Sequence, residues 1–381
     1  MLLDNKKIAI VGGGPGGLTL ARFLQLKGVD VKVYERDFSR EARLQGATLD
    51  LHTGSGLLAV EKAGLMDKFE KLYRAGADKG RIIDKHGNIL YDDHDKPERT
   101  DEQEWRPEID RSDLRDLLLD SLLPDTVIWD SHIVSADRVE EGWQLVFKNG
   151  STVFADIIIG ADGGNSKIRP IVTDATPYYA GTTIFQGNVE DAEAKAPGVY
   201  DMLKGGKIYI HADEKYFHIS SKGDGSIDFY ISAKVPENSV KESGVDFSDR
   251  RQFLNWCQEN FNGWSKLWFE LFENTTLPLL VRPQYCIPAD QSWEAQPDLT
   301  LLGDAAHIMP PSGEGVNLAM LDALELSERL TNADFTDLKT AIETYEHRMR
   351  IRAAAEAVES MEGVEWMHGA EAQEKMLAFF S

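Results

Sequence analysis

Near its N-terminus the chain reads KKIAIVGGGPGGLTLARFLQLKGVDVKVYERD, a pattern that very few folds accommodate. IAIV is an apolar strand, and a glycine turn follows it. A helix is expected from about 16 to 27, with Leu18, Ala21, Leu24 and Leu26 at roughly helical spacing. Gly28 ends it, and VKVY is a second strand. Gly12, Gly14 and Gly17 form GxGxxG between strand and helix. The three glycines suit a tight turn, close approach to a pyrophosphate, and close helix–strand packing. The helix N-terminus then presents free N–H groups and a favourable dipole to phosphates. Glu35 stands 18 residues after Gly17, at the end of the second strand, where an acid accepts hydrogen bonds from an adenosine ribose. The plainer alternative is a tight βα turn in an unrelated α/β protein; strand, helix and acid in register favour dinucleotide binding. The motif does not choose between NAD and FAD. Arg36 suits a 2′-phosphate or the adenosine of FAD equally well.

The choice falls on GDAAHIMPPSGEGVN, residues 303–317, set between the strand-like LTLL and a helix-like run. Asp304 lies at the carboxyl end of a strand, where ligands bind in open α/β sheets, and a carboxylate there suits the hydroxyls of a ribityl chain. A helix is expected to start near Gly315, Val316 and Asn317, and its N–H groups can hold negative charge on the edge of a reduced flavin. A nicotinamide dinucleotide has no comparable need. A third segment, ADGGNSKIR, follows the apolar strand IIIG and carries Asp162, Gly163, Ser166 and Arg169. By itself it reads as a strand-end turn.

At 381 residues the chain is long for one compact domain. Short alternating segments between 178 and 280, such as KIYIHAD and SIDFYISAK, suggest an antiparallel sheet inserted into a parallel α/β frame. KGRIIDKHGNILYDD reads as a hairpin, residues 55–75 as helical, 92–104 as a polar connection, and the last forty residues as helix with a break at Gly363. The net charge of −23 argues against a nucleic-acid partner, which requires a basic footprint. No run approaches the ~18 apolar residues that span a bilayer. Two cysteines without a CxxC spacing, and no signal pattern, make a reducing cytoplasm the simplest compartment.

Together, VYERD, EARLQGATLDLHTGSG, PEIDRSDLRDLLL, DTVIWD, GGNSKIR and GDAAH…PP resemble the class A flavoprotein monooxygenases, the para-hydroxybenzoate hydroxylase family, and within it the TetX-type tetracycline-inactivating enzymes. The resemblance runs along most of the chain and is weakest from about 187 to 297. It implies a Rossmann-like FAD domain (1–77, 101–177 and 281–340), an inserted antiparallel β-sheet substrate domain (78–100 and 178–280) and a bridging C-terminal helix (341–381). It implies that Glu35 and Arg36 bind the adenosine half of FAD, that Asp50 and Arg111 reach the flavin with Arg115 supporting the same region, that Asp304 binds FAD, and that Pro311 lies beside the flavin. Asp162 matches a motif associated with FAD and NADPH. Gln186 matches a substrate-contacting glutamine, and Trp366 and Met367 of the final helix tie the domains together and close the substrate site. A monomer is implied.

The implied chemistry is hydroxylation of a phenolic or enolic polycycle, tetracyclines foremost, by a flavin C4a-hydroperoxide formed from O2 after reduction by NADPH or NADH. The cofactor carries such a reaction, in keeping with the lack of GxSxG and of metal-ligand spacing. The runner-up is a flavin reductase without oxygen insertion. Two departures bear on the substrate. PPSGEGVN is one residue shorter than the family loop, and Lys207 and Asp228 stand where relatives carry an arginine and a histidine. His307 is expected to be a backbone-bonded histidine and Glu314 an exposed loop carboxylate. Tyr209, Phe217, Phe229 and Tyr230 are expected to be mostly sheet core, and Arg348, Arg350 and Arg352 a solvated helix face.

Overall fold

A computed structural model describes residues 2–42, 48–96 and 105–380. The polar connection expected at 92–104 lies largely outside these residues. Five strands run parallel in the order Leu299–Leu301, Ile157–Gly160, Ile8–Val11, Val31–Tyr34, Val127–Ile128. Ile157–Gly160 and Ile8–Val11 are buried on both faces, which is why they read as unbroken apolar runs. The helix Pro15–Leu26 packs against this sheet and against the helix Gly315–Thr331. Three antiparallel strands, Ile133–Val139, Gly142–Phe147 and Thr152–Ala155, lie beside it.

The second large sheet has seven strands, in the order Leu280–Cys286, Tyr178–Val189, Ile227–Lys234, Lys215–Ser221, Lys207–Ala212, Gly80–Ile83, Ile89–Asp92. It is mixed rather than purely antiparallel, because Gly80–Ile83 joins Lys207–Ala212 in parallel. One face carries Phe185, Ile208, Phe217, Ile219, Phe229 and Ile231, packed against Phe253, Phe261, Trp268 and Phe272 of the helical cover. Full burial of each such side chain contributes roughly 1.5–3 kcal/mol. This cluster is separate from the apolar core around the parallel sheet.

Two helix expectations are corrected. Residues 55–75 form two short helices, Gly56–Lys62 and Met66–Phe69. Gly64 at φ +71° reverses the chain between them, and Leu65 N–H closes back on Val60 O, a helix-ending geometry open to glycine. At the other end there is no break at Gly363. The helix Leu338–Met367 runs through it and ends before His368, because buried Ser360 and Val364 on either side hold that turn by packing, which outweighs a single glycine.

Candidate cofactor and substrate site

The glycine turn distributes its tasks by position. Gly12 has φ +112°, and a Cβ there would run into the Ala161 carbonyl oxygen. A Cβ on Gly17 would meet the Gly12 carbonyl oxygen. A Cβ on Gly14 would meet nothing within 4 Å, so Gly14 borders open space. Glu35, buried at the end of its strand, accepts N–H from Gly13 at 2.6 Å and from Asp37 at 2.9 Å. Arg36 beside it is exposed.

Across the same strand ends, Asp162 accepts from Ser166 Oγ at 2.5 Å and from Lys167 N–H at 2.7 Å. Ser166 Oγ in turn accepts from Arg169 N–H. The Arg169 guanidinium donates to the carbonyls of Gly164, Asp304 and Ala305, so the D-G-x-x-S-x-x-R spacing ties this turn to the Asp304 turn. Among the described residues no group donates to the Asp304 carboxylate. It is exposed, yet the protein mass around it raises its pKa, against the pull of His307, Arg111 and Arg169. An exposed carboxylate so surrounded stands in a cleft. Arg111 acts on Asp304 and also on Asp228, which sets it between the two sheets.

Beside this cleft the short strand Leu49–Asp50 pairs with Glu108–Ile109. His52 Nε2 lies 2.9 Å from Asp50 Oδ2, and its Nδ1 lies 2.8 Å from Glu314 Oε1. Burial would lower the His52 pKa, but these carboxylate partners raise it to about 9. Asn317 accepts from His52 N–H and donates to Asp50 O and Gly313 O. Pro311 is exposed on the same loop, while Pro310 O accepts from Ser360 of the long helix.

The opposing wall is the second face of the seven-stranded sheet. The strand register sets Gln186, Tyr230, His218 and Tyr209 in one row, and Asp228, Ser220 and Lys207 in the next. Lys207 forms an ion pair with buried Glu108, whose attraction outweighs burial and raises the lysine pKa. Gln186 is fully engaged: its Nε2 donates to Asp228 at 2.9 Å and its Oε1 accepts from Arg282. Burial raises Asp228 to about 6 and lowers His218 to about 3. The His218 Nδ1 and Ser220 Oγ atoms are buried without a hydrogen-bond partner, and buried polar atoms ordinarily have one. At the far end, Met367 O and Ser232 Oγ meet His211 and His368, at 3.1 and 3.0 Å, and fasten the long helix to the sheet. A cavity of about 720 Å³ on another side of that helix, lined by Tyr178, Cys286, Met361 and Trp366 among others, lacks this polar set.

A family model described as the FAD binding domain matches residues 5–360. The chain belongs to this FAD-binding family. It is 27% identical over 372 residues to Monooxygenase penA of Penicillium thymicola, covering 85% of this chain and 84% of that protein. Its fold superimposes on Klebsiella pneumoniae HpxO complexed with FAD and uric acid (TM-score 0.77, 23% identity, 99% and 92% of the two chains). It also superimposes on the tetracycline destructase Tet(55) (TM-score 0.75, 20% identity, 100% and 96%). The protein is an FAD-dependent monooxygenase of the class A type.

In this monooxygenase the cleft residues fit the cofactor: open space at Gly14, a buried acid at Glu35, and an unpartnered carboxylate at Asp304. The sequence-derived set divides in space. Gly12, Gly14, Gly17 and Glu35 gather at one end. Asp50, Arg111, Asp304, Pro311, Gly315, Val316 and Asn317 gather at the other, where the Asn317 side chain is used to join loops. Arg115 is held by a second acid. Its guanidinium donates to Asp37 at 2.9 Å and lies over Trp129, beside the end of the Glu35 strand. Glu314 is not a free loop carboxylate. His307 is bonded at 2.6 Å to buried Asp322, not only to backbone. Arg352 also turns inward to Asp322, at 2.7 Å, and Arg350 packs over Trp293. The four sheet aromatics split by alternation: Phe217 and Phe229 are core, whereas Tyr209 and Tyr230 face the cleft. Sequence reasoning missed His52, His218 and Ser220. Period-two alternation within KYFHISS, with Phe217 and Ile219 taken as core, assigns the last two to the opposite face of the sheet.

Proposed function

We propose that this FAD monooxygenase uses NADPH or NADH and O2 to hydroxylate a phenolic or enolic polycyclic small molecule, with tetracyclines the first to test. The observation that carries the reading is the cleft-facing row Gln186–Tyr230–His218–Tyr209, aromatic and polar at once, set opposite the Asp50 and Asp304 loops. Flat apolar walls with a few convergent polar groups suit an aromatic ligand. Bound FAD, once reduced, supplies the oxygen-activating chemistry.

The chain's own residues supply binding and exclusion of water. Glu35 is preset by two backbone N–H groups to receive ribose hydroxyls. Asp304 receives polyol hydroxyls, and the first-turn N–H groups at Gly315 and Val316 face developing negative charge. Tyr209, His218 and Tyr230, in ring contact with one another, form one wall against which a flat substrate can lie. Lys207 and Gln186 are held by Glu108 and Asp228, so they act as a fixed electrostatic wall more than as free donors. Met367 bounds the site from the long helix. In this reading 1–77, 101–177 and 281–340 hold the cofactor, 78–100 and 178–280 the substrate, and 341–381 bridge them in a cytoplasmic monomer.

The test is product mass after incubation of the yellow protein with NADPH, air and tetracycline, beside other phenols and polyketides. A flavin-dependent gain of one oxygen supports the reading. NADPH oxidation with no oxygen in any product would favour the reductase. Loss of FAD in Glu35→Ala and Asp304→Ala checks the cleft independently of the substrate.

A further inference from the structure

The Asp50–His52–Glu314 cluster joins three segments that are remote in sequence. Both ring nitrogens of His52 lie within hydrogen-bond distance of a carboxylate. A neutral imidazole carries one N–H and would turn a bare nitrogen toward the other acid, whereas an imidazolium satisfies both. The ring is mostly enclosed, with 13% of its side chain exposed. Among the described residues, the other charged groups around it are Glu356 of the long helix and, beyond Asp50, the Lys207–Glu108 pair.

Glu314 directly precedes the helix Gly315–Thr331, whose first intrahelical bond is Leu318 N–H to Glu314 O. The N–H groups of Gly315 and Val316 therefore lie ahead of the ladder, free to hold an anionic edge. Two carboxylates flanking that helix end would oppose any negative charge brought to it. His52 cancels one of them and fastens both, while Asn317 fixes the same loops through neutral bonds.

We propose that His52 is a positioning and charge-balancing residue for the flavin: held as an imidazolium by Asp50 and Glu314, it keeps the N-terminus of helix 315–331 electropositive enough to favour the reduced, anionic cofactor. The proposal rests on FAD occupying this cleft, which the Glu35 and Asp304 variants test separately. Asp50 and then Glu314 raise the proton affinity of His52, so Glu314 helps set the pH range in which the device works.

The experiment measures the flavin midpoint potential of the wild-type holoenzyme, His52→Gln and Glu314→Gln from pH 6 to 10, with FAD affinity alongside. In His52→Gln the preference for reduced over oxidised FAD is expected to fall about tenfold at neutral pH, ~30 mV for a two-electron couple. Wild type is expected to lose that preference near pH 9, and Glu314→Gln at least one pH unit lower. The proposal is overturned if the variants weaken FAD equally in both redox states and at every pH, the mark of a merely structural role. Should His52→Gln not retain FAD, the milder Glu314→Gln decides: an unmoved alkaline limb sinks the idea.

Discussion

Two glycines two positions apart have opposite expected fates. Gly12→Ala places a methyl against the Ala161 carbonyl in a left-handed backbone, and is expected to destabilise the fold by about 2 kcal/mol or more. Gly14→Ala meets open space at normal φ, and is expected to leave thermal stability nearly unchanged while FAD affinity falls at least tenfold. Melting temperature of the apoprotein and FAD titration, measured on both, separate the two effects; equal stability losses would contradict the assignment. The sequence motif marks both glycines alike. Only the position of the Ala161 segment beneath one, and of open space beside the other, distinguishes them.

At the scale of elements, the long helix is continuous where its sequence suggests a stop. Gly363 sits inside Leu338–Met367 with helical backbone, and an added Cβ would make an ordinary 3.5 Å contact with Met367 Cε. Gly363→Ala is therefore expected to stabilise the protein by about 0.5–1 kcal/mol, read from denaturant midpoints. A loss of stability would mean that the helix needs its glycine as a hinge. The strands of the seven-stranded sheet teach the complementary lesson. Their alternation was legible at once, but which of the two faces was functional was not. Phe217 and His218 are adjacent, and the side that each takes is set by what lies on each face: helices over Phe217, and the paired strands Leu49–Asp50 and Glu108–Ile109 on the side of His218 and Tyr209.

The whole molecule should carry a pH signature. His211 and His218 are buried and neutral, with burial the leading cause of pKa values near 4 and near 3. The unfolded chain, at ~6.5, takes up their protons first as pH falls. Stability attributable to them is complete above about pH 6.5 and is lost as pH falls through the folded values, near 4 for His211 and near 3 for His218, at up to about 1.4 kcal/mol per pH unit for each. His307, raised by Asp322 despite its burial, works the other way: its contribution is complete below ~6.5 and fades as pH rises through its folded value. Melting curves at pH 7.5 and 5.0 should show the drop, and His218→Phe should shrink it. No drop in wild type would mean that these rings are not held neutral. Among the described residues no helix is long and apolar enough to cross a membrane.

The sequence by itself determined the parallel sheet, the glycine turn, the acid at Glu35 and the remote GDAAH segment that selects a flavin. These are local events: strand, turn and helix propensities act over a few residues, and their chemical requirements leave fixed spacings in the chain. Tertiary structure alone decided that Arg115 belongs to Asp37, that Glu314 belongs to His52, and that His307 and Arg352 share Asp322. It also decided which face of the second sheet meets the cofactor cleft. Charges pair with whatever partner folding brings within a few ångströms, whether 15 residues away, as for His307 and Asp322, or 78, as for Arg115 and Asp37, and nothing in the spacing of a sequence records that choice.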